Sequence, residues 1–370
     1  MSPSLMIAGG GTGGHVFPGI ALAEAFLAAC PGGAVSFVGT ESGLEARAVP
    51  ARGFPIDFVP SGQVRGKGAG ALRGMARMTR GFGVAFSVLR RRRPDAVFGV
   101  GGYASVPVAL AAALSGIPLF LQEQNAVPGR ANRLLGRAAR RVFAGFAGAV
   151  PFFPAGRAVA TGNPVRRDIV AAALATRGVR EAGAPFTVFA MGGSQGARSI
   201  NGLVLGMARA VRKEGRRMRF ILQTGGAEFP AVEAAVRAEA LPVEPFAFSD
   251  RIWEVFPRAD AVLMRAGALS VAEAALFGRP CVLVPYPFAA DRHQEKNAEE
   301  FCAGGGGVWM RQEEATGEKV LRVFASWAED PSRLAAASAA AAAFGRPGAA
   351  DEIVRSALRE AGIGKGEARV

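Results

Sequence analysis

Short apolar runs alternate with helix-length stretches along most of the chain. In the first part the runs are LMIAG (5–9), AVSFVG (34–39), AVFGVG (96–101), PLFLQ (118–122) and RVFAG (141–145), with a helical stretch from Ile20 to Ala29 between the first two. After ATGNPVRRDI (160–169) the pattern restarts with FTVFAMGG (186–193), RFILQTG (219–225), VEPFAF (243–248), AVLMRAG (261–267) and CVLVPY (281–286). Strands alternating with helices predict parallel, doubly wound sheets, and the restart predicts two of them. The fold class expected is therefore α/β, built from two Rossmann-like domains facing across a cleft. The predicted boundaries are 1–162, 163–344 and a closing segment 345–370, whose helix (347–362) returns to the N-terminal domain. The length, 370 residues, agrees with two cores, because single cores stop growing near ~250 residues.

Each half opens in the same way, with a strand, a glycine loop and a helix: LMIAGGGTGGH and VFAMGGSQGARSIN. In open parallel sheets ligands sit beyond the carboxyl ends of the strands, so both loops are predicted to line the ligand sites. Gly9, Gly11 and Gly14 fit the dinucleotide fingerprint G-x-G-x-x-G, with Glu41 as the acid candidate at the end of the second strand. The loop has no Lys-Ser/Thr ending, which speaks against ATP chemistry. Its secure property is a set of backbone N–H groups at a helix N-terminus, where an anion is favoured. His15, one of two histidines, stands at the rim. An imidazole, titrating near ~6.5, can there take a proton from an approaching hydroxyl. The second loop adds Ser194 to a further N–H cradle, and Glu273, in a helix after a glycine, can accept the two hydroxyls of a ribose.

Composition narrows the classes. Half of the residues are hydrophobic and 20% are charged, which excludes disorder of the whole chain. The net charge of +14 is uneven, +11 up to residue 165 and +3 beyond it, so the first half suits an anionic partner: nucleic acid, acidic membrane or phosphorylated substrate. Cys30, Cys281 and Cys302 are odd in number and lack metal-ligand spacing, as in a reduced cytoplasm. The N-terminus carries no secretory signature. Glycines and prolines, Gly99 to Pro118, break the long uncharged stretch into pieces too short to span a membrane.

Seven motifs in order, GGTGGHVFPG, GVGGYASVP, EQNAVPGRANR, TGNPVR, GGSQGA, RAGALSVAE and DRHQEKNA, resemble the MurG-type family of bacterial N-acetylglucosaminyltransferases over about residues 5 to 350. The resemblance implies a GT-B fold with the acceptor on the N-terminal domain and the donor on the C-terminal one. The implied reaction moves N-acetylglucosamine from UDP-N-acetylglucosamine to undecaprenyl-diphospho-muramoylpentapeptide (lipid I), giving lipid II, with inversion and at the cytoplasmic membrane face. The donor residues it implies are Arg166 and Ser194 at the diphosphate, Phe248 and Ser249 at the uracil, Glu273 at the ribose, and Asn125, His293 and Gln294 at the sugar. The implied acceptor site comprises Gly10, Gly11, Thr12, Gly13, Gly14, Gly101, Gly102 and Tyr103, with His15 as base. Gln122, Ala266 and His293 depart from the family's commoner histidine, serine and glutamine.

No Asp-x-Asp pair occurs, so neither a metal nor another cofactor is expected, and leaving-group charge falls to N–H groups and Arg166. Leu72, Met75, Met78, Phe82 and Phe86 recur at three- and four-residue steps among arginines, as a stripe for docking on an anionic membrane surface. Two other classes compete. A nicotinamide oxidoreductase rests on G-x-G-x-x-G alone. A nucleic-acid-binding protein rests on the charge and RRRR (90–93), but with 2 Tyr, 3 Trp and no readout motif no nucleic-acid partner is expected.

Overall fold

The structure, a computed structural model, describes residues 2–61, 69–176, 183–193 and 195–363, with the backbone alone for 69–78. The chain divides into two units, one running to Arg167 and resuming at Pro347, the other spanning Asp168–Arg346.

The first unit contains the strands β1 (Ser4–Gly9), β2 (Ala34–Gly39), β3 (Ile56–Phe58), β4 (Ala96–Gly101), β5 (Leu119–Glu123), β6 (Arg141–Ala144) and β7 (Ala158–Ala160). Its helices are α1 (Gly13–Ala29), α2 (Glu45–Ala48), α3 (Ala69–Arg92), α4 (Ser105–Leu114) and α5 (Arg130–Leu135), while α6 (Arg167–Thr176) leads into the second unit. All pairings are parallel, in the order β3-β2-β1-β4-β5-β6-β7. Strand period 2 sends alternate residues of β1 to opposite faces. Leu5 and Ile7 join a core with Ile20, Phe26 and Phe98, and Met6 and Ala8 join one with Val88, Leu89 and Val108. Both faces are covered, which is why the strands are apolar at nearly every position.

The second unit repeats the plan with β8 (Phe186–Met191), β9 (Met218–Gln223), β10 (Val243–Phe246), β11 (Ala261–Met264), β12 (Cys281–Leu283) and β13 (Gly307–Trp309). Its helices are α7 (Arg198–Glu214), α8 (Phe229–Ala238), α9 (Ala268–Leu276), α10 (His293–Ala303), α11 (Gly317–Glu329) and α12 (Pro331–Phe344). The order is β10-β9-β8-β11-β12-β13, again all parallel. Each sheet thus reverses direction beside its first strand, at β1/β4 and at β8/β11. Those two switch points are where a ligand crevice opens.

The closing helix, α13 (Ala349–Ala361), buries Ile353, Val354 and Ala357 in the α1 face of the first core, and Arg141 reaches Glu360 at 2.7 Å. The division falls at Arg167/Asp168, five residues beyond the 162/163 boundary read from the sequence. The cause is Asn163: its Nδ2 donates to the Gln124 carbonyl at 3.0 Å, which ties the TGNPVR segment to the first sheet.

Candidate functional site

At the first switch point the glycine loop leaves β1 and enters α1 with Thr12 as N-cap. The β1/β4 register slips between Ala8 and Gly9, so Gly9 lies opposite Gly101. Gly102, at φ +79°, has backbone that only glycine adopts easily, and a Cβ there would strike the Gly10 carbonyl. His15 lies in the first turn of α1 with its ring against Gly101 and its Nδ1 3.5 Å from the Thr12 hydroxyl. Tyr103, next along the chain from Gly102, is exposed. The first-turn N–H groups of Gly13 and Gly14 have no intrahelical partner and remain available to an anion.

Beneath this loop lies Glu45, 1% exposed. Its Oε2 accepts from the Gly11 N–H at 2.7 Å, and its Oε1 from the N–H and hydroxyl of Thr40 at 2.9 and 2.7 Å. A Cβ on Gly10, Gly39 or Gly43 would collide with this carboxylate. Burial by itself would raise the Glu45 pKa, but the bonds from Gly11 and Thr40 outweigh it and hold the group below the usual glutamate value. A second buried carboxylate, Glu123 at the end of β5, accepts from the N–H of Asn125 (2.9 Å), the N–H of Gly129 (3.2 Å) and the side chain of Asn132 (2.9 Å). It shapes the EQNAVPGRAN loop, and burial pushes its pKa up against those bonds.

The second switch point carries a cleft of about 430 Å³. One wall is the loop after β8, where Gly196, at φ +75°, has no room for a Cβ beside the Thr224 carbonyl. That approach aims the N-terminus of α7 at the cleft. The opposite wall comes from β11 and its continuation, with Arg265, the N-cap Gly267 and Ser270 of α9. Tyr286 and Gln294 close the side, and the Gln294 Oε1 accepts from the Tyr286 N–H at 2.9 Å. Arg265 donates to the carbonyls of Val284 and Pro285 (3.0 Å each), to Ser199 Oγ (2.8 Å) and to Gln312 Oε1 (2.6 Å). Asp291 and Arg292 both adopt left-handed backbone, φ +50° and +52°, immediately before His293 opens α10. Strain of this kind costs on the order of 1–3 kcal/mol per residue and collects where side chains must be aimed.

Residues 5–144 match the N-terminal domain of glycosyltransferase family 28, and residues 187–353 match its C-terminal domain. The UDP-N-acetylglucosamine--N-acetylmuramyl-(pentapeptide) pyrophosphoryl-undecaprenol N-acetylglucosamine transferase of Geobacter sulfurreducens is 39% identical over 96% of this chain and 99% of its own length. The chain belongs to glycosyltransferase family 28. The Pelobacter propionicus transferase of the same name is 40% identical, covering 96% of this chain and 98% of its own. Among solved structures, Acinetobacter baumannii MurG superposes with a TM-score of 0.78 at 28% identity, over 96% of this chain and 99% of that one. The two parallel-sheet units are those of the GT-B fold, and the family resemblance read from the motifs is confirmed.

Within this family-28 chain the anticipated acceptor residues, Gly10 to Gly14, Gly101, Gly102 and Tyr103, gather with His15 at one switch point. Gln294 lines the second-unit cleft. His293 begins the same helix, with its Nδ1 2.8 Å from the Ala290 carbonyl, which directs Nε2 elsewhere. Glu273 lies on α9 one turn beyond the cleft-lining Ser270. Phe248 and Ser249 follow β10, Phe248 exposed and the Ser249 hydroxyl accepting from the Arg251 N–H. Ser194 lies outside the described residues.

Arg166 belongs to the first unit, where it is buried with its guanidinium 4.6 Å from the Phe17 ring centroid, and Asn125 is held in that unit by Glu123. Neither is part of the second-unit cleft. The acid that meets the first glycine loop is Glu45, not Glu41, which is exposed. Because that acid bonds the loop itself, it is not offered to a dinucleotide ribose. The docking stripe is interrupted: Phe82 packs against the core beside Ala85 and Leu89, whereas Phe86 is exposed. Side chains of Leu72, Met75 and Met78 lie outside the described residues. Of RRRR, Arg91 and Arg92 each bond Asp57 at 2.8 Å. Arg265, Glu45 and Glu123 were not singled out from the sequence, although Arg265 and Glu123 each open a quoted motif.

Proposed function

We propose that this chain transfers N-acetylglucosamine from UDP-N-acetylglucosamine to the muramoyl 4-hydroxyl of lipid I, giving lipid II, by inverting, metal-independent displacement. The observation that carries the reading is near-40% identity, over almost the full length of both chains, to transferases named for these substrates. The geometry supplies the chemistry. In this reading the first unit holds the acceptor diphosphate on the Gly13 and Gly14 N–H groups, beside His15. The His15 Nδ1 faces the Thr12 hydroxyl at 3.5 Å, and the imidazole receives the hydroxyl proton as the oxygen forms its bond to the anomeric carbon. The bond from that carbon to the diphosphate breaks, and UDP leaves with its electron pair. Preorganised N–H groups and a guanidinium in the second-unit cleft stabilise the leaving charge.

Incubation with a lipid I analogue and labelled UDP-sugars, with EDTA present throughout, tests this. The expected product is the β-linked disaccharide from UDP-N-acetylglucosamine, with UDP-glucose turned over far more slowly, because a site built to bond a group rejects the analogue lacking it. Equal use of both sugars, or activity abolished by EDTA and restored by Mg²⁺, refutes it.

Docking on an anionic membrane surface is part of the same proposal. No helix among the described residues is long and apolar enough to cross a membrane, so a lipid-tethered acceptor would be met at the surface. The basic first unit supports this, as does exposed Phe86 on α3. Because Phe82 is partly core, the informative double variant is Met75→Glu with Phe86→Glu. It is expected to reduce sedimentation with anionic liposomes severalfold, while turnover of a soluble acceptor persists. Unchanged sedimentation would place the docking surface elsewhere.

A further inference from the structure

Arg265 is a cation surrounded by neutral groups. Its four terminal N–H groups end on two carbonyls, a hydroxyl and an amide oxygen, and its guanidinium carbon lies 5.5 Å from the centroid of the Tyr286 ring. Several other arginines of this unit have an acidic neighbour: Arg198, Arg209 and Arg258 each pair with a glutamate, and the buried Arg279 has Asp260 near it. Arg265 is half-buried, and burial works against its charge by lowering its pKa. A desolvated charge normally finds an opposite one. Here the space beside it is the 430 Å³ cleft, whose other wall is the N-terminus of a 17-residue helix with unspent N–H groups.

We infer that Arg265 is the fixed positive charge of the donor cleft, the counter-ion against which the donor diphosphate binds and UDP departs. The inference rests on the reading of the second unit as the UDP-sugar site. Arg265 acts mainly through its field, since its terminal N–H groups already hold Ser199, Gln312 and the Val284–Pro285 backbone. Those same bonds keep the charge from reorienting as the leaving group forms, which is what electrostatic preorganisation requires.

The test compares UDP with uridine, which lacks the diphosphate, by titration calorimetry on the whole chain. Arg265→Met is expected to weaken UDP at least about tenfold and uridine less than about twofold. Arg265→Lys keeps the charge and gives up part of the bonding, so it is expected to lower the melting temperature while retaining most of the UDP preference. Should the methionine variant not fold, Gln312→Glu, which sets a carboxylate where the amide now meets the guanidinium, is expected to lower the UDP-to-uridine ratio by a similar factor. A ratio unchanged in these variants, or UDP and uridine weakened together, makes Arg265 a brace of the cleft wall and overturns the inference. So does loss of the ratio in the lysine variant as large as in the methionine one. Failure of the unsubstituted chain to bind either ligand would instead remove the donor-site reading.

Discussion

His15→Ala is expected to lower turnover roughly 10²-fold or more while leaving UDP affinity unchanged. The reason is positional. His15 lies in the first turn of α1, its ring rests on Gly101 at the switch point of the first sheet, and Thr12 faces its Nδ1. The helix itself is fixed by Val16, Ile20, Leu22 and Phe26 in the core. The melting temperature is therefore expected to stay within a few degrees. UDP binding is expected to persist because the cleft at β8 and β11 is built entirely from the second unit. Loss concentrated in kcat identifies a group acting in the transition state, whereas a loss confined to KM would mark acceptor binding. Wild-type turnover in the variant would leave His15 a helix residue without a part in the chemistry.

Glu45→Ala is expected to produce a comparably strong effect by another route. The substitution leaves the Gly11 N–H and both donors of Thr40 without their acceptor and opens a void where three glycines now crowd a carboxylate. Loss of charge-assisted bonds at a buried site costs about 2–4 kcal/mol. The glycine loop loses its floor, so the acceptor KM is expected to rise and kcat to fall, again with UDP affinity retained. The pH dependence has a definite sign. The folded-state pKa of Glu45 lies below its unfolded value, so its contribution is fully present above the unfolded pKa. That contribution fades as pH falls through the folded one. Denaturant titrations near neutral pH and in acid are therefore expected to show the gap between variant and parent narrowing as pH falls. A gap independent of pH, or a loop whose acceptor kinetics do not change, would show that the carboxylate is not what pins the loop. Glu45→Gln, which keeps the shape and loses the charge, is expected to fall between the two.

Much of the molecule is legible without coordinates because its determinants are local. Each strand is a short apolar run, each is followed by a helix-length segment, and each half begins with glycines where a strand must turn tightly into a helix. These rules concern neighbours a few residues apart, and they place the two-sheet plan, both glycine loops and His15. The order of seven motifs adds the family, because functional residues cluster at strand ends whose spacing along the chain reflects the fold.

The alternation of elements, their duplication and the chemistry available at each loop thus follow from local order along the chain. Which of those groups meet is settled only when the sheets assemble. Glu41 and Glu45 are four residues apart and equally acidic on paper, but only the helical turn after Thr40 swings Glu45 under Gly11. Arg166 ends one quoted motif and Arg265 opens another. The first stays with α1 because Asn163 bonds the Gln124 backbone, and the second enters the cleft because β11 crosses over to pair with β8. Phe82 and Phe86 share a helical stripe, but the rotation of α3 against the sheet core packs the first partly into it and exposes the second. In every case the deciding contact joins residues distant in sequence. Such contacts are set by sheet order and by the desolvation of charge, neither of which a local pattern encodes.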